Sequence, residues 1–175
     1  MNLKLIIITL LTLGNMTLYN FNPESNTNDW YILDDVVMGG RSNGKFKIDN
    51  EGHGMFYGNV SLENNGGFSS VRYQFKTKDV SGHSKIKLRI KGDGKTYQFR
   101  IKTNSRDYAS YIYEFETTKD WMTIEIPFSK LYPSFRGRRL NQPNFEGEFL
   151  SEIAFLIGNK TPQEFQLLID SIELK

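Results

Sequence analysis

The chain has 175 residues, 38% of them in the hydrophobic set and 24% charged, with 22 basic against 20 acidic side chains and a formal net charge of +2. That length fits one domain able to bury roughly 70% of its unfolded surface, and it excludes a multidomain machine. An aromatic share of 14% offsets ordering entropy and argues against disorder, while the lack of any Cys removes disulfides, thiolate nucleophiles, zinc ribbons and iron–sulfur ligation.

Met1–Lys4 carries one positive charge, and Leu5–Leu13 is apolar except for Thr9 and Thr12. This is the n-region and h-region of a secretory signal peptide, too short for an ordinary membrane span. The pattern predicts residues 1–16 as a signal peptide and residues 17–175 as a single domain, exported to a bacterial periplasm or cell envelope with no transmembrane span. A first buried strand or an uncleaved anchor, in a cytoplasmic or membrane-associated chain, is the alternative, because Ile6, Ile7 and Ile8 satisfy it too.

After residue 17 the apolar period is two. Strands are expected at Phe68–Phe75, Lys85–Lys91, Lys95–Thr103, Ala109–Phe115, Met122–Phe128 and Phe165–Leu174, each with one dry and one wet face. Asn43-Gly44, Asn65-Gly66-Gly67, Ser81-Gly82 and Gly92-Asp93-Gly94 read as the turns between strands. Many short strands without a helical pattern predict an all-β fold, a two-sheet antiparallel sandwich or jelly roll. Ser129–Glu148, with Pro133, Pro143 and Arg136-Gly137-Arg138-Arg139, keeps no period and reads as a long loop, either functional or a plain crossover.

Catalytic and cofactor chemistry finds little footing. His53 and His83 sit in glycine-rich turns, where imidazoles are usually solvated, so a nucleophile–base pair is not expected. Glu114 and Glu116, about 7 Å apart on one strand face, could serve a glycosidase, but pairing with the basic ladder Lys85, Lys87, Arg89 and Arg100 is the stronger reading. A basic ladder at near-neutral total charge is a solvated sheet face rather than a phosphate track, so no nucleic acid is expected. The glycine loops lack phosphate-binding spacing, and no cofactor or metal is predicted; Asp35, Asp93 and Asp170 could hold a structural calcium only without a regular motif.

The run Trp30-Tyr31-Ile32-Leu33-Asp34-Asp35-Val36-Val37-Met38-Gly39-Gly40-Arg41-Ser42 resembles the opening signature of the complex I intermediate-associated protein family. Gly58–Arg72, Gly92-Asp93-Gly94-Lys95 with Tyr97, Trp121 leading to Ile126-Pro127-Phe128, Phe135-Arg136-Gly137-Arg138, and Ile157-Gly158 with Phe165, Leu167 and Ile169-Asp170 match later blocks in order. Val36 departs from the glycine often found there. The resemblance implies a galactose-binding-like jelly roll and a non-enzymatic role through protein contacts in the assembly of NADH:ubiquinone oxidoreductase, with a protein as partner. Carbohydrate-binding modules share that fold, so a carbohydrate ligand is the alternative.

Within the matching blocks, Gly39, Gly40, Gly66 and Gly67 mark positions needing positive φ or close backbone approach. Asp35, Arg41, Asn64, Asn65, Arg72, Arg136 and Arg138 are the candidate binding residues. The arginines offer planar donors, with Asp35 as the intramolecular partner of one of them, and the set forms either a binding rim or a clasp holding the long loop. Trp30 and Trp121 are expected as core anchors.

Overall fold

The computed structural model describes residues 14–175. The signal-peptide expectation falls mainly on residues 1–13, outside the described residues. The first strand, β1 (Met16–Asn20), opens one residue before the expected domain boundary, with Met16 opposite Leu174.

Twelve further strands follow: β2 (Trp30–Asp34), β3 (Asn43–Ile48), β4 (Gly54–Val60), β5 (Ser69–Asp79), β6 (Lys85–Lys91) and β7 (Thr96–Lys102). Then come β8 (Ser110–Glu116), β9 (Met122–Pro127), β10 (Tyr132–Phe135), β11 (Arg138–Arg139), β12 (Phe149–Ile157) and β13 (Gln163–Leu174). One sheet runs β3-β4-β13-β6-β9, with β1 continuing along β13 where β4 leaves off; the other runs β11-β10-β8-β7-β12-β5-β2. Every pairing is antiparallel. The two-sheet antiparallel sandwich is therefore the architecture that period-two patterning predicts.

The inward face of each strand carries that pattern. Ile86, Leu88 and Ile90 of β6 and Tyr97, Phe99 and Ile101 of β7 are all buried, as are Phe155 of β12 and Leu167, Ile169 and Ile172 of β13. Fully burying such a side chain contributes roughly 1.5–3 kcal/mol. At one end an aromatic cluster closes the layers, with Trp30 stacked on Phe46 and Tyr73 at 5.0 Å from each ring centroid.

Four expectations need correction. Asn43-Gly44 is not a turn but the start of β3, opposite Asn59 and Gly58; the β3–β4 turn lies at residues 49–53, where the Asp49 carboxylate accepts from the N–H groups of Glu51 and His53. The long loop contains the β10–β11 hairpin and a 3-10 turn at Phe128–Lys130; Pro133 hid β10, although its carbonyl accepts from the Leu140 N–H at 2.9 Å. Trp121 is only half-buried, lying on the surface with the His53 ring at 4.5 Å and the Arg89 guanidinium at 5.6 Å from its ring. The basic ladder of β6 faces Glu125 and Glu173, not Glu114 and Glu116: Lys85 Nζ donates to Glu125 at 2.6 Å, and Lys87 sits opposite Glu125 and Glu173.

The histidines also differ from solvated turn residues. His53 is half-buried, and both ring nitrogens of His83 are buried without a hydrogen-bond partner among the described residues.

Candidate functional site

The candidate residues resolve into three places. The first is a clasp between the segment after β2 and the segment before β5. Asp35 is 1% exposed, and its carboxylate accepts from the Ser42 hydroxyl and the Gly67 N–H at 2.5 Å each, the Ser42 N–H at 3.0 Å and the Phe68 N–H at 3.2 Å. Burial works against its ionisation, but the Ser42 hydroxyl and the three N–H donors outweigh it and hold the pKa below the ordinary 3.8. Among the described residues no arginine partners Asp35; its charge is satisfied by main chain and Ser42.

Two further contacts close the same clasp. Asn64 Nδ2 donates to the Gly39 carbonyl at 3.0 Å, and Arg41 pairs with Glu63 at 2.8 Å on the exposed surface. Asn64 and Asn65 both adopt positive φ, 54° and 61°, which asparagine tolerates better than most residues. The four glycines divide by cause. Gly39 and Gly67 have φ of 90° and 141°, whereas a Cβ on Gly40 or Gly66 would collide with the Asp35 carboxylate. The clasp thus joins two loops to each other, not the 129–148 segment to the sandwich.

The second place is the outer face of the seven-stranded sheet. Register sets one residue from each of six adjacent strands in a row: Tyr31 (β2), Arg72 (β5), Ala154 (β12), Arg100 (β7), Ile112 (β8) and Tyr132 (β10). At a strand spacing near 4.8 Å the row is about 24 Å long, with a tyrosine at each end and two arginines between. Ala154, Ile112 and Leu156 are buried although they point away from the core, because the long side chains beside them lie flat across the sheet.

This face is tightly bonded. Arg72 Nη1 donates to Glu152 at 3.0 Å, and Gln74 Nε2 donates to Glu152 at 2.7 Å and to the Tyr31 hydroxyl at 2.9 Å. Glu152 is 2% exposed, so Arg72 is its counter-charge. Arg100 has no carboxylate in ion-pair range among the described residues. Its Nε and Nη2 reach only the Gln98 amide oxygen, at 3.0 and 2.6 Å, and Gln98 in turn donates to Glu114 at 2.7 Å. Burial, then the neighbouring Arg72 charge, bring Arg100 down to about 10, still a cation at neutral pH. Burial, followed by Glu152 for Tyr31 and Glu114 for Tyr132, raises both phenols, which remain neutral donors.

The third place is the tip of the β10–β11 hairpin, where Phe135 is opposite Arg138. Arg136 and Gly137, with φ of 47° and 74°, form the positive-φ pair of a type I′ turn. Asparagine or glycine is usual at the first position; an arginine there costs about 1–2 kcal/mol. Arg136 and Arg138 therefore lie at the opposite edge of the sheet from Arg41, and the predicted arginines do not form one cluster.

A cleft of about 470 Å³ opens beside β13, lined by Lys45, Tyr57, Lys95 and Gln166 among others. Its Asp93 carboxylate is engaged by Lys95 Nζ, the Tyr97 hydroxyl and the Gln166 N–H. Asp35, Asp93 and Asp170 thus serve separate local networks, and no group of three His, Asp or Glu side chains suited to a metal occurs among the described residues.

Tyr31, Arg100, Glu152 and Tyr132 were absent from the candidates. The available signal was Glu152 itself: one carboxylate inside the apolar run Leu150–Ile157 has to be buried against a cation.

Comparison with known proteins agrees with the sandwich. A family 11 carbohydrate-binding module of a cellulosomal cellulase of Clostridium thermocellum superposes with a TM-score of 0.69 at 21% identity, covering 92% of this chain and 94% of that one. The Clostridium thermocellum module solved with a β-1,3-1,4-mixed-linked tetrasaccharide gives 0.68, also at 21% identity, covering 92% and 95%. At that identity the likeness shows the fold. In sequence, the chain is 28% identical to mouse "Complex I intermediate-associated protein 30, mitochondrial" over 88% of its own length and 54% of that protein. The Drosophila melanogaster protein of the same name is 23% identical over 69% of this chain and 48% of that protein. The chain thus spans about half the length of these two curated relatives. Because the family profile of Complex I intermediate-associated protein 30 matches residues 19–169, nearly the whole described sandwich, the chain belongs to that family.

Proposed function

We propose that this chain is a non-catalytic binding module that acts through protein–protein contacts, in an assembly or chaperone-type role like the one the names of its mouse and fly relatives suggest. The observation that carries the reading is the transverse row on the seven-stranded sheet. Tyr31, Arg72, Arg100 and Tyr132 present flat hydrogen-bonding groups on a rigid floor, and Tyr and Arg are the residue types on which interface energy concentrates. Its acids are committed to structure: Glu152 is held by Arg72 and Gln74, and Glu114 by Gln98, so neither is poised as a general acid or base. Deleting the gene and resolving NADH:ubiquinone oxidoreductase on native gels tests this role. Accumulation of partial subcomplexes supports it; a normal level of the complete complex overturns it.

A second reading, a carbohydrate-binding module, draws on the same row, since tyrosines about 24 Å apart with polar groups between them suit an extended sugar chain. The module solved with a mixed-linked tetrasaccharide shares the fold. Calorimetric titration with mixed-linked β-glucan oligosaccharides separates the readings: heat that disappears in Tyr31→Ala and Tyr132→Ala supports the sugar, and no heat removes it.

From the Met1–Met16 pattern we further propose export to the cell envelope. Mass measurement of the mature N-terminus tests cleavage and cell fractionation tests location: retention of Met1 removes the cleaved signal peptide, and recovery in the cytoplasm removes the envelope.

A further inference from the structure

The β10–β11 hairpin collects exposed groups that the fold does not use. Phe135 (37% exposed) and Tyr108 (64% exposed) meet edge to face at 5.2 Å between centroids, joining the 103–109 loop to the hairpin. The Arg136 guanidinium lies 5.3 Å from the Phe135 ring centre and that of Arg139 4.8 Å from the Tyr132 ring centre, while Arg138 and Arg106 are also exposed. None of these four arginines takes part in an ion pair among the described residues. The nearby Asp107 carboxylate is turned to Thr103 and the Asn104 N–H instead.

We propose that this hairpin is a docking element for an acidic segment of a partner protein, one that carries apolar side chains among its carboxylates. Three arguments converge on that chemistry. Four exposed guanidinium groups without an ion pair among the described residues suit an anionic partner by charge complementarity, and their planar forks match carboxylates bidentately. Phe135 and Tyr108 supply apolar contact that a purely ionic partner would leave unused. The positive φ of Arg136 is an outlier that asparagine or glycine would relieve, and it sets an exposed guanidinium at the hairpin tip. A net charge of +2 is too small for a surface that works mainly by long-range attraction to nucleic acid or anionic lipid.

The proposal rests on the protein-contact reading and names the partner's chemistry. The test is fluorescence anisotropy of the full chain with a labelled peptide of repeating Asp-Glu-Leu and with its Asn-Gln-Leu counterpart. The acidic peptide is expected to bind saturably and about tenfold or more tighter than the amide one, and to weaken as salt rises toward about 0.5 M. Arg136→Asn, which keeps a residue tolerant of positive φ, and Arg138→Gln should each weaken it severalfold without lowering the thermal unfolding temperature. Arg138→Glu, which sets a carboxylate among the three remaining arginines, should weaken the acidic peptide further than Arg138→Gln does at an equal melting temperature. Equal affinity for both peptides, folded variants that bind like the wild type, or preference for phosphatidylserine vesicles or single-stranded DNA overturns the proposal. If the peptide fails to bind while gene deletion still stalls assembly, the hairpin assignment alone falls; if the peptide binds and assembly is normal, the assembly role falls and the surface stands.

Discussion

Arg72 and Glu152, on adjacent strands β5 and β12, form a 3.0 Å ion pair whose side chains are 13% and 3% exposed. Removing one member leaves the other charge buried, which costs about 3–5 kcal/mol, whereas replacing both by apolar groups is often near neutral. Arg72→Met should therefore lower urea-unfolding stability by several kcal/mol, and Arg72→Met/Glu152→Leu should recover most of it. A double mutant no more stable than Arg72→Met would show that the pair is not coupled.

The Asp35 carboxyl has a folded-state pKa below its ordinary 3.8. A depressed carboxyl adds stability that is present above the unfolded-state pKa and lost as pH falls through the folded one. Chemical denaturation followed from pH 6 down to about pH 2 should show this loss below about pH 4, and Asp35→Asn should flatten that part of the profile. The same variant should be destabilised at neutral pH by about 3 kcal/mol or more, since its amide cannot accept from all four donors at once.

Gly40 and Gly66 abut Asp35; a Cβ on Gly66 would lie 2.6 Å from its Oδ2. Gly39 has open space and only its φ of 90° to protect. Gly39→Ala should cost about 1–2 kcal/mol, and Gly40→Ala and Gly66→Ala more, because the carboxylate must leave its donors. Equal melting temperatures for the three variants would contradict this division.

Trp30 is 6% exposed within the aromatic cluster, so Trp30→Ala should cost about 3–5 kcal/mol. Trp121, packed at a tilt against His53 and under Arg89 at the surface, should cost about 1 kcal/mol. Thermal unfolding of the two variants ranks them directly.

Arg136→Asn or Arg136→Gly should raise stability by up to about 1 kcal/mol by relieving the positive φ, while weakening contact with acidic partners. A lower melting temperature for both would mean that the guanidinium is structural.

The strands with one wet face were legible: β6 begins and ends where its alternation does, and β7, β8 and β9 fall within a residue or two of the expected limits. β12 was not, because eight of its nine residues are buried and a strand covered on both faces loses its period. β4 was masked by Gly54 and Gly58, and β10 by Pro133, residues that usually end strands. The site was legible by residue type but not by grouping. Arg72, Arg41 and Arg136 share a chemistry, yet strand order decides that the first meets Glu152, the second Glu63 and the third the Phe135 ring. Asp35 was found as a key residue with the wrong partner, because main-chain donors leave no mark in a sequence.

β13 comes last among the described strands yet lies in the middle of its sheet, between β4 and β6 and beside β1. During synthesis on the ribosome, β1, β3, β4, β6 and β9 have emerged while the strand that joins them is still inside the exit tunnel. Until it emerges, the hydrophobic faces of Phe56 and Ile86 have no layer to complete, and the nascent chain is open to aggregation or to capture by holding factors.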